Sequence, residues 1–223
     1  MRWDGEKFVS LKLPPSKTVK AKNALQRCAI DMLNNPDITI CVLLGVSGGG
    51  KTYCITSMAK YAVLEKGWQS KIVGIREYIS DSAEIGFLPG NRDLKIFDMM
   101  LPLADQLDGG EFEMESLKQR GVLETTTPFF IKGRSFDSAI LLIEEAEDLT
   151  EKQLRLIGTR VGKNSRIFFS GDINQSAINH AADGGLVRMC NKLKTSPLMG
   201  VIWFEDDVRS ETSKLFANLF HNN

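Results

Sequence analysis

Eight consecutive residues carry the most specific chemistry in this chain. Gly45-Val46-Ser47-Gly48-Gly49-Gly50-Lys51-Thr52 follows the apolar run Ile38 to Leu44 and opens a helix-like segment, Lys51 to Lys66. It fills every fixed position of a phosphate-binding loop. Small residues such as Ser47, Gly48, Gly49 and Gly50 let backbone N–H groups turn inward around a polyphosphate, and the following helix offers its positive end. Lys51 would neutralise charge on the outer phosphates, and the Thr52 hydroxyl would ligate Mg²⁺. A Gly-rich turn matched by chance is the plain alternative, but the strand, loop and helix stand in the order a nucleoside triphosphate site requires.

Ligands of a parallel sheet sit beyond the carboxyl ends of its strands, so polar residues that end apolar runs come next. Ser138 to Ile143 ends in Glu144-Glu145. One carboxylate of such a pair can hold the Mg²⁺ shell while the other orients and deprotonates an attacking water. The bland reading is that they cap the next helix, as Glu147 and Asp148 could. Arg166 to Ser170 opens into Gly171-Asp172-Ile173-Asn174-Gln175, where Gln175 could reach the terminal phosphate or the lytic water, or simply sit in an Asx turn.

The elements that must position these groups follow from periodicity. Residues 1–15 read as an N-terminal arm ending at Pro14-Pro15, and Ser16 to Asn34 as a helix. Strands are expected at Ile38–Leu44, Lys71–Arg76, Ser138–Ile143, Arg166–Ser170 and Met199–Phe204, with helices at Thr150–Val161, Gly184–Lys194 and Glu211–Phe220. Residues 77–127 read as a helical insertion between core strands. The alternation predicts an α/β fold, a three-layer α/β/α sandwich with a mostly parallel central sheet, in one domain over 1–223.

Composition narrows the classes. With 28 Lys+Arg against 28 Asp+Glu, a globally basic nucleic-acid binder is excluded, although a local basic strip is not. Cys28, Cys41, Cys54 and Cys190 form no CxxC pair and read as apolar fillers in a reducing compartment, and His180 and His221 share no ligand spacing. No apolar run approaches the roughly 20 residues of a membrane helix, and the N-terminus has no signal core. The expectation is a cytoplasmic protein with no membrane partner.

Together these stretches resemble the PhoH-like family of ATPases, whose core is close to the first motor domain of superfamily 1 helicases. The resemblance is carried by Gly45 to Thr52, Glu84-Ile85-Gly86-Phe87-Leu88-Pro89-Gly90, Lys132-Gly133-Arg134-Ser135-Phe136, Ile140 to Ala146, Thr159-Arg160-Val161-Gly162, Gly171 to Gln175 and Asp207-Val208-Arg209. It implies a RecA-like P-loop core, ATP hydrolysis with Mg²⁺, RNA or single-stranded nucleic acid as partner, and a ring-shaped homo-oligomer such as a hexamer. It also implies that Gln26 contacts the adenine, Arg160 supports the nucleotide site, and Arg209 is an arginine finger or sensor. Without it, Gln26 is only a surface helix residue and the two arginines are solvated charges.

Glu144 stands where the family usually has Asp before the catalytic Glu, here Glu145, and Glu147 stands where it often has Gln. The longer Glu144 side chain should shift the Mg²⁺ water shell, which makes a nucleotide-gated binding protein with slow turnover the alternative class. A small P-loop kinase is a further alternative, but it needs clustered lid arginines to shield the phosphoryl group from water. A GTPase is less favoured, because Asn191-Lys192-Leu193-Lys194 lacks the Asp that would read guanine. A single-strand contact surface is expected from Arg92, Lys95, Lys118, Arg120, Lys132 and Arg134, with Phe87, Phe97 and Phe112 as stacking groups; solvated helix faces are the plain counterpart.

Overall fold

The structure is a computed structural model that describes residues 1–3, 6–77, 100–173, 175, 184–205, 211, 212 and 215. Its frame follows from strands too apolar to face water on either side. Ile140 and Leu142 turn to one core, and their neighbours Ala139, Leu141 and Ile143 to another. A strand buried on both faces requires helices above and below it. The sheet has six strands, β3 (Ile40–Gly45), β4 (Lys71–Ile75), β5 (Leu123–Thr126), β6 (Ala139–Ile143), β7 (Arg166–Gly171) and β8 (Met199–Phe204), of which the four inner ones obey this logic while β5 and β8 are partly exposed edges. Every pairing among them is parallel, in the order β5-β4-β6-β7-β3-β8. β7 therefore lies between the strand that feeds the phosphate loop and the strand that ends in the two glutamates, the RecA-like arrangement.

The first core lies under α1 (Ala24–Asn34), α2 (Lys51–Lys60), α3 (Leu101–Ala104) and α4 (Gly110–Gln119). The second lies under the turns Pro128–Ile131 and Ala146–Asp148, with α5 (Glu151–Gly158) and α6 (Gly185–Leu193). The expected α/β sandwich is therefore present, with its sheet wholly parallel among the described residues. α1 starts later than the expected Ser16, because the Asn23 side chain accepts the Gln26 N–H at 2.8 Å and caps the helix there. In the arm, β1 (Arg2–Trp3) and β2 (Phe8–Val9) pair antiparallel as a separate ribbon.

The expected helical insertion over 77–127 needs correction at its end, since Leu123–Thr126 is the edge strand of the main sheet. Only Leu123 and Thr126 of that strand are buried, so its polar sequence hides it from an apolar-run search. The Gly-Phe-Leu-Pro-Gly stretch, Arg92, Lys95 and Asp207-Val208-Arg209 lie outside the described residues. Cys41 and Cys54 are buried, and all four cysteines are free thiols.

One buried cation ties α1 to the strand that leads to the loop. Arg166 Nη1 donates to Leu33 O at 2.6 Å, and Nη2 donates to Asn35 O at 2.9 Å and Ile38 O at 2.8 Å. The Leu33 and Asn35 carbonyls end α1 and have no further helical turn to accept from, and Ile38 lies just before β3. Arg166→Met should strip their donors and cost about 3 kcal/mol, read as a lower urea midpoint with an unchanged slope. An unchanged midpoint would show that this collar does not hold α1.

Candidate nucleotide site

The loop is clamped from two sides. Val46 donates its N–H to Phe204 O at 3.1 Å, and a Cβ on Gly45, whose φ is 122°, would meet that oxygen at 1.9 Å. Only glycine fits there. On the other side Gln26, 1% exposed, donates from Nε2 to Gly49 O at 3.0 Å and accepts the Lys22 N–H at 2.8 Å. Gln26 is thus a buried clasp on the loop rather than the surface residue its helix position suggested. Gly50, at φ 89°, begins α2 directly beneath it.

Lys51 is 8% exposed, and its Nζ donates to Gly45 O at 2.7 Å and Val46 O at 2.8 Å. Burial holds its pKa below the usual lysine value, opposed by the charges of Asp172, Glu147, Glu145 and Glu144. The ammonium therefore lies folded over the loop that a phosphate would occupy.

The two glutamates after β6 occupy different environments. Glu144 is 5% exposed and accepts from Thr52 Oγ1 at 2.9 Å through Oε2, while Oε1 has no hydrogen-bond partner among the described residues. Burial raises its pKa to about 7, against the opposing Thr52 hydrogen bond. Glu145 takes φ 49°, a left-handed conformation costing a non-glycine residue roughly 1 kcal/mol or more. Its side chain reaches the rim, where Arg76 Nη2 lies 3.7 Å from Oε1.

Two further acids, whose contacts are not legible in the sequence, lie at this end of the sheet: Asp172 in the cleft lining and Glu147 behind Gly171. Glu147 is buried, and its pKa is raised to about 8, first by burial and then by the neighbouring Glu145 carboxyl. Asp172 Oδ2 accepts the Ser47 N–H at 3.1 Å and Gln175 Nε2 at 2.9 Å. Asp172 belonged to a stretch already flagged at the end of β7, so its signal was its place rather than its type.

These groups surround a cleft of about 650 Å³ lined by Gln26, Ser47, Gly48, Gly50, Lys51, Thr52, Glu145, Asp172 and Gln175, with Tyr53 on its wall. Glu144 stands behind Thr52, and Gly49 packs on Phe204. Arg160 is not brought to the cleft. It follows α5 at the opposite end of the sheet, where its Nη1 donates to Arg134 O at 3.3 Å, because α5 carries the chain away from the loop toward the start of β7. Arg209 lies outside the described residues.

Thr52 Oγ1 beside a buried carboxylate whose other oxygen, Oε1, has no partner among the described residues suits Mg²⁺, which binds through one or two protein oxygens and the substrate's phosphates. The expected single-strand surface is divided. Lys118 and Arg120 belong to the α4 layer, whereas Lys132 and Arg134 follow the turn of the opposite layer. There, Lys132 lies 5.2 Å over the ring of Phe129, which is 68% exposed, and Arg134 pairs with Glu124.

A parallel sheet with a glycine loop, an inward lysine and a carboxylate behind the helix-start threonine defines a nucleotide-binding P-loop protein. A family model described as PhoH-like protein matches residues 18–221, and the chain belongs to that family. It is 29% identical over 212 residues to Protein PhoH2 of Bacillus subtilis, covering 90% of this chain and 47% of that protein. It is 30% identical over 185 residues to a PhoH-like protein of Synechocystis sp., covering 81% and 55%. A PhoH-like protein of Mycobacterium tuberculosis is 30% identical over 172 residues, covering 76% and 48%. The chain thus spans about half the length of these relatives. Among the described residues, no helix is long and apolar enough to cross a membrane.

The raised carboxyls have a measurable consequence. Folded Glu144 and Glu147 hold protons that the unfolded chain would release above its ordinary carboxyl range, so their stabilisation is present at low pH and lost as pH rises through about 7 and about 8. The melting temperature of the ligand-free protein should therefore fall between about pH 5 and about pH 8. A Glu144→Gln, Glu147→Gln double variant should flatten that slope; an unchanged slope in the variant would contradict the assignment.

Proposed function

We propose that the chain is a Mg²⁺-dependent ATP hydrolase whose turnover is coupled to RNA or another single-stranded nucleic acid. The observation that carries this reading is the division of labour between adjacent glutamates. Glu144 is buried against Thr52, whereas Glu145 reaches the mouth of the same cleft. Thr52 and Glu144 would hold Mg²⁺, which neutralises phosphate charge when bound. Lys51 would turn from the Gly45 and Val46 carbonyls onto the phosphates. Glu145, open to solvent, would orient a water and take its proton, and Gln175 would sit beside that water at the end of β7.

Coupling to nucleic acid draws support from family membership and from exposed rings, Phe112 at 85% and Phe129 with Lys132 over it, a combination suited to stacking on unpaired bases. We further propose one cytoplasmic domain that closes its nucleotide site with a neighbouring subunit, in a head-to-tail ring. Arg209 is the candidate finger across that boundary. Mixing Arg209→Ala with Glu145→Gln subunits should restore activity at sites where both groups are intact; no recovery in demonstrably mixed rings would count against a trans role.

The decisive assay is phosphate release with and without RNA. Glu145→Gln should keep ATP binding and lose on the order of 10²-fold or more in rate, while Lys51→Ala should lose binding itself. Tight ATP binding without phosphate release in the wild-type protein would favour a nucleotide-gated binding protein instead.

A further inference from the structure

The resemblance gave Gln26 the adenine contact, yet both edges of its amide already lie on backbone. The side chain is 1% exposed, Nε2 donates to Gly49 O at 3.0 Å, and Oε1 accepts the Lys22 N–H at 2.8 Å. A group so enclosed shapes the loop and does not face a ligand. The base has to be read from elsewhere in the same cleft, which at about 650 Å³ has room for a whole nucleotide.

Ser47 to Thr52 fix where the phosphates lie, and Glu145, Asp172 and Gln175 take the side of β6 and β7. The remaining wall is Lys20, Lys22, Tyr53 and Gln106. It is tied down at several points. The Tyr53 hydroxyl accepts the Lys20 N–H at 2.8 Å and lies 3.4 Å from Thr18 O, to which it donates, while Lys22 is held by Gln26. Asp108, just beyond Gln106, pairs with Lys60 of α2 at 2.9 Å, so the turn after α3 rests on the helix that begins at the loop.

The 6-amino group of adenine needs an acceptor and the adjacent ring nitrogen needs a donor. Lys20 and Lys22 carry donors only, and the Tyr53 hydroxyl is engaged with backbone. Gln106 carries both kinds of group. It is half-buried, its Nε2 makes one long bond to Pro102 O at 3.5 Å, and among the described residues its Oε1 accepts no hydrogen bond. Guanine offers two acceptors on the matching edge, so the Gln106 carbonyl would face an oxygen or a ring nitrogen there. We propose that Gln106 reads the base and selects adenine over guanine, while Gln26 acts only through the loop. The inference rests on the reading of this cleft as a nucleotide site.

Displacement of a fluorescent ATP analogue from the full chain, with Mg²⁺, tests it with three competitors: ATP, GTP and inorganic tripolyphosphate, which has no base. The wild-type protein should bind ATP more tightly than GTP. Gln106→Ala should weaken ATP roughly 10-fold, the scale of one lost bidentate base contact, and leave tripolyphosphate unchanged. That unchanged affinity also shows the variant to be folded. Gln26→Met, which removes both amide contacts at similar volume, should weaken ATP and tripolyphosphate by the same factor. Unchanged ATP affinity in Gln106→Ala, an equal loss of tripolyphosphate there, or no wild-type preference for ATP over GTP would each overturn the proposal. A Gln26→Met loss confined to ATP would return base reading to Gln26. If tripolyphosphate bound but the bases were not distinguished, the base reader would fall and the phosphate site would stand; if neither the analogue nor tripolyphosphate bound, the nucleotide site itself would fall.

Discussion

A single ammonium group, Lys51 Nζ, has to be satisfied inside a cleft that gathers carboxyls from the ends of β6 and β7. Its hydrogen bonds go to the carbonyls of Gly45 and Val46. Other groups follow the same rule: Thr52 donates to Glu144, and the Ser47 N–H donates to Asp172. Lys51, Thr52 and the Ser47 N–H thus have protein partners, as burial demands, whereas Glu144 Oε1 has none among the described residues. Binding is therefore largely an exchange of partners, with one unsatisfied carboxylate oxygen left for a cation. Such a cleft suits a polyphosphate that arrives with its own cation, because the surrounding acids would repel a bare anion.

The sheet supplies the geometry for this exchange. Parallel order brings the ends of β3, β7 and β6 side by side, so the loop, Asp172 and the glutamates meet although they are far apart in sequence. Rigidity comes from beneath and beside. Phe204 at the end of β8 blocks any side chain on Gly45, Gln26 on α1 holds Gly49, and Arg166 fixes the carbonyls where α1 ends. A loop so clamped loses little conformational entropy when it closes on a ligand, the general route by which preorganisation raises affinity.

Much of this was legible in the sequence, and the misses share a cause. The loop motif, the double-sided apolar runs and Glu144-Glu145 at the end of one of them announce themselves locally. β5 does not, because an edge strand pairs on one side and Glu124 and Thr125 are only half-buried. Gln26 looked like a surface residue because its helix position is polar; only tertiary contact shows that the amide is consumed by the loop. Glu147 reads as a helix-capping acid, yet it lies buried against Gly171, distant in sequence, where a side chain would collide with it. Arg160 was placed by resemblance near the nucleotide, and the direction of α5 takes it to the other end of the sheet.

A nucleotide in this cleft has to take Lys51 and Glu144 from the partners they have in the protein. The most direct test of that exchange is an experimental structure of this chain with a non-hydrolysed ATP analogue and Mg²⁺. Lys51 Nζ should leave the Gly45 and Val46 carbonyls for the outer phosphates, Glu144 should enter the Mg²⁺ shell beside Thr52, and Glu145 should remain at the cleft mouth facing the terminal phosphate. An analogue bound elsewhere, or bound here with Lys51 still on those two carbonyls, would contradict it.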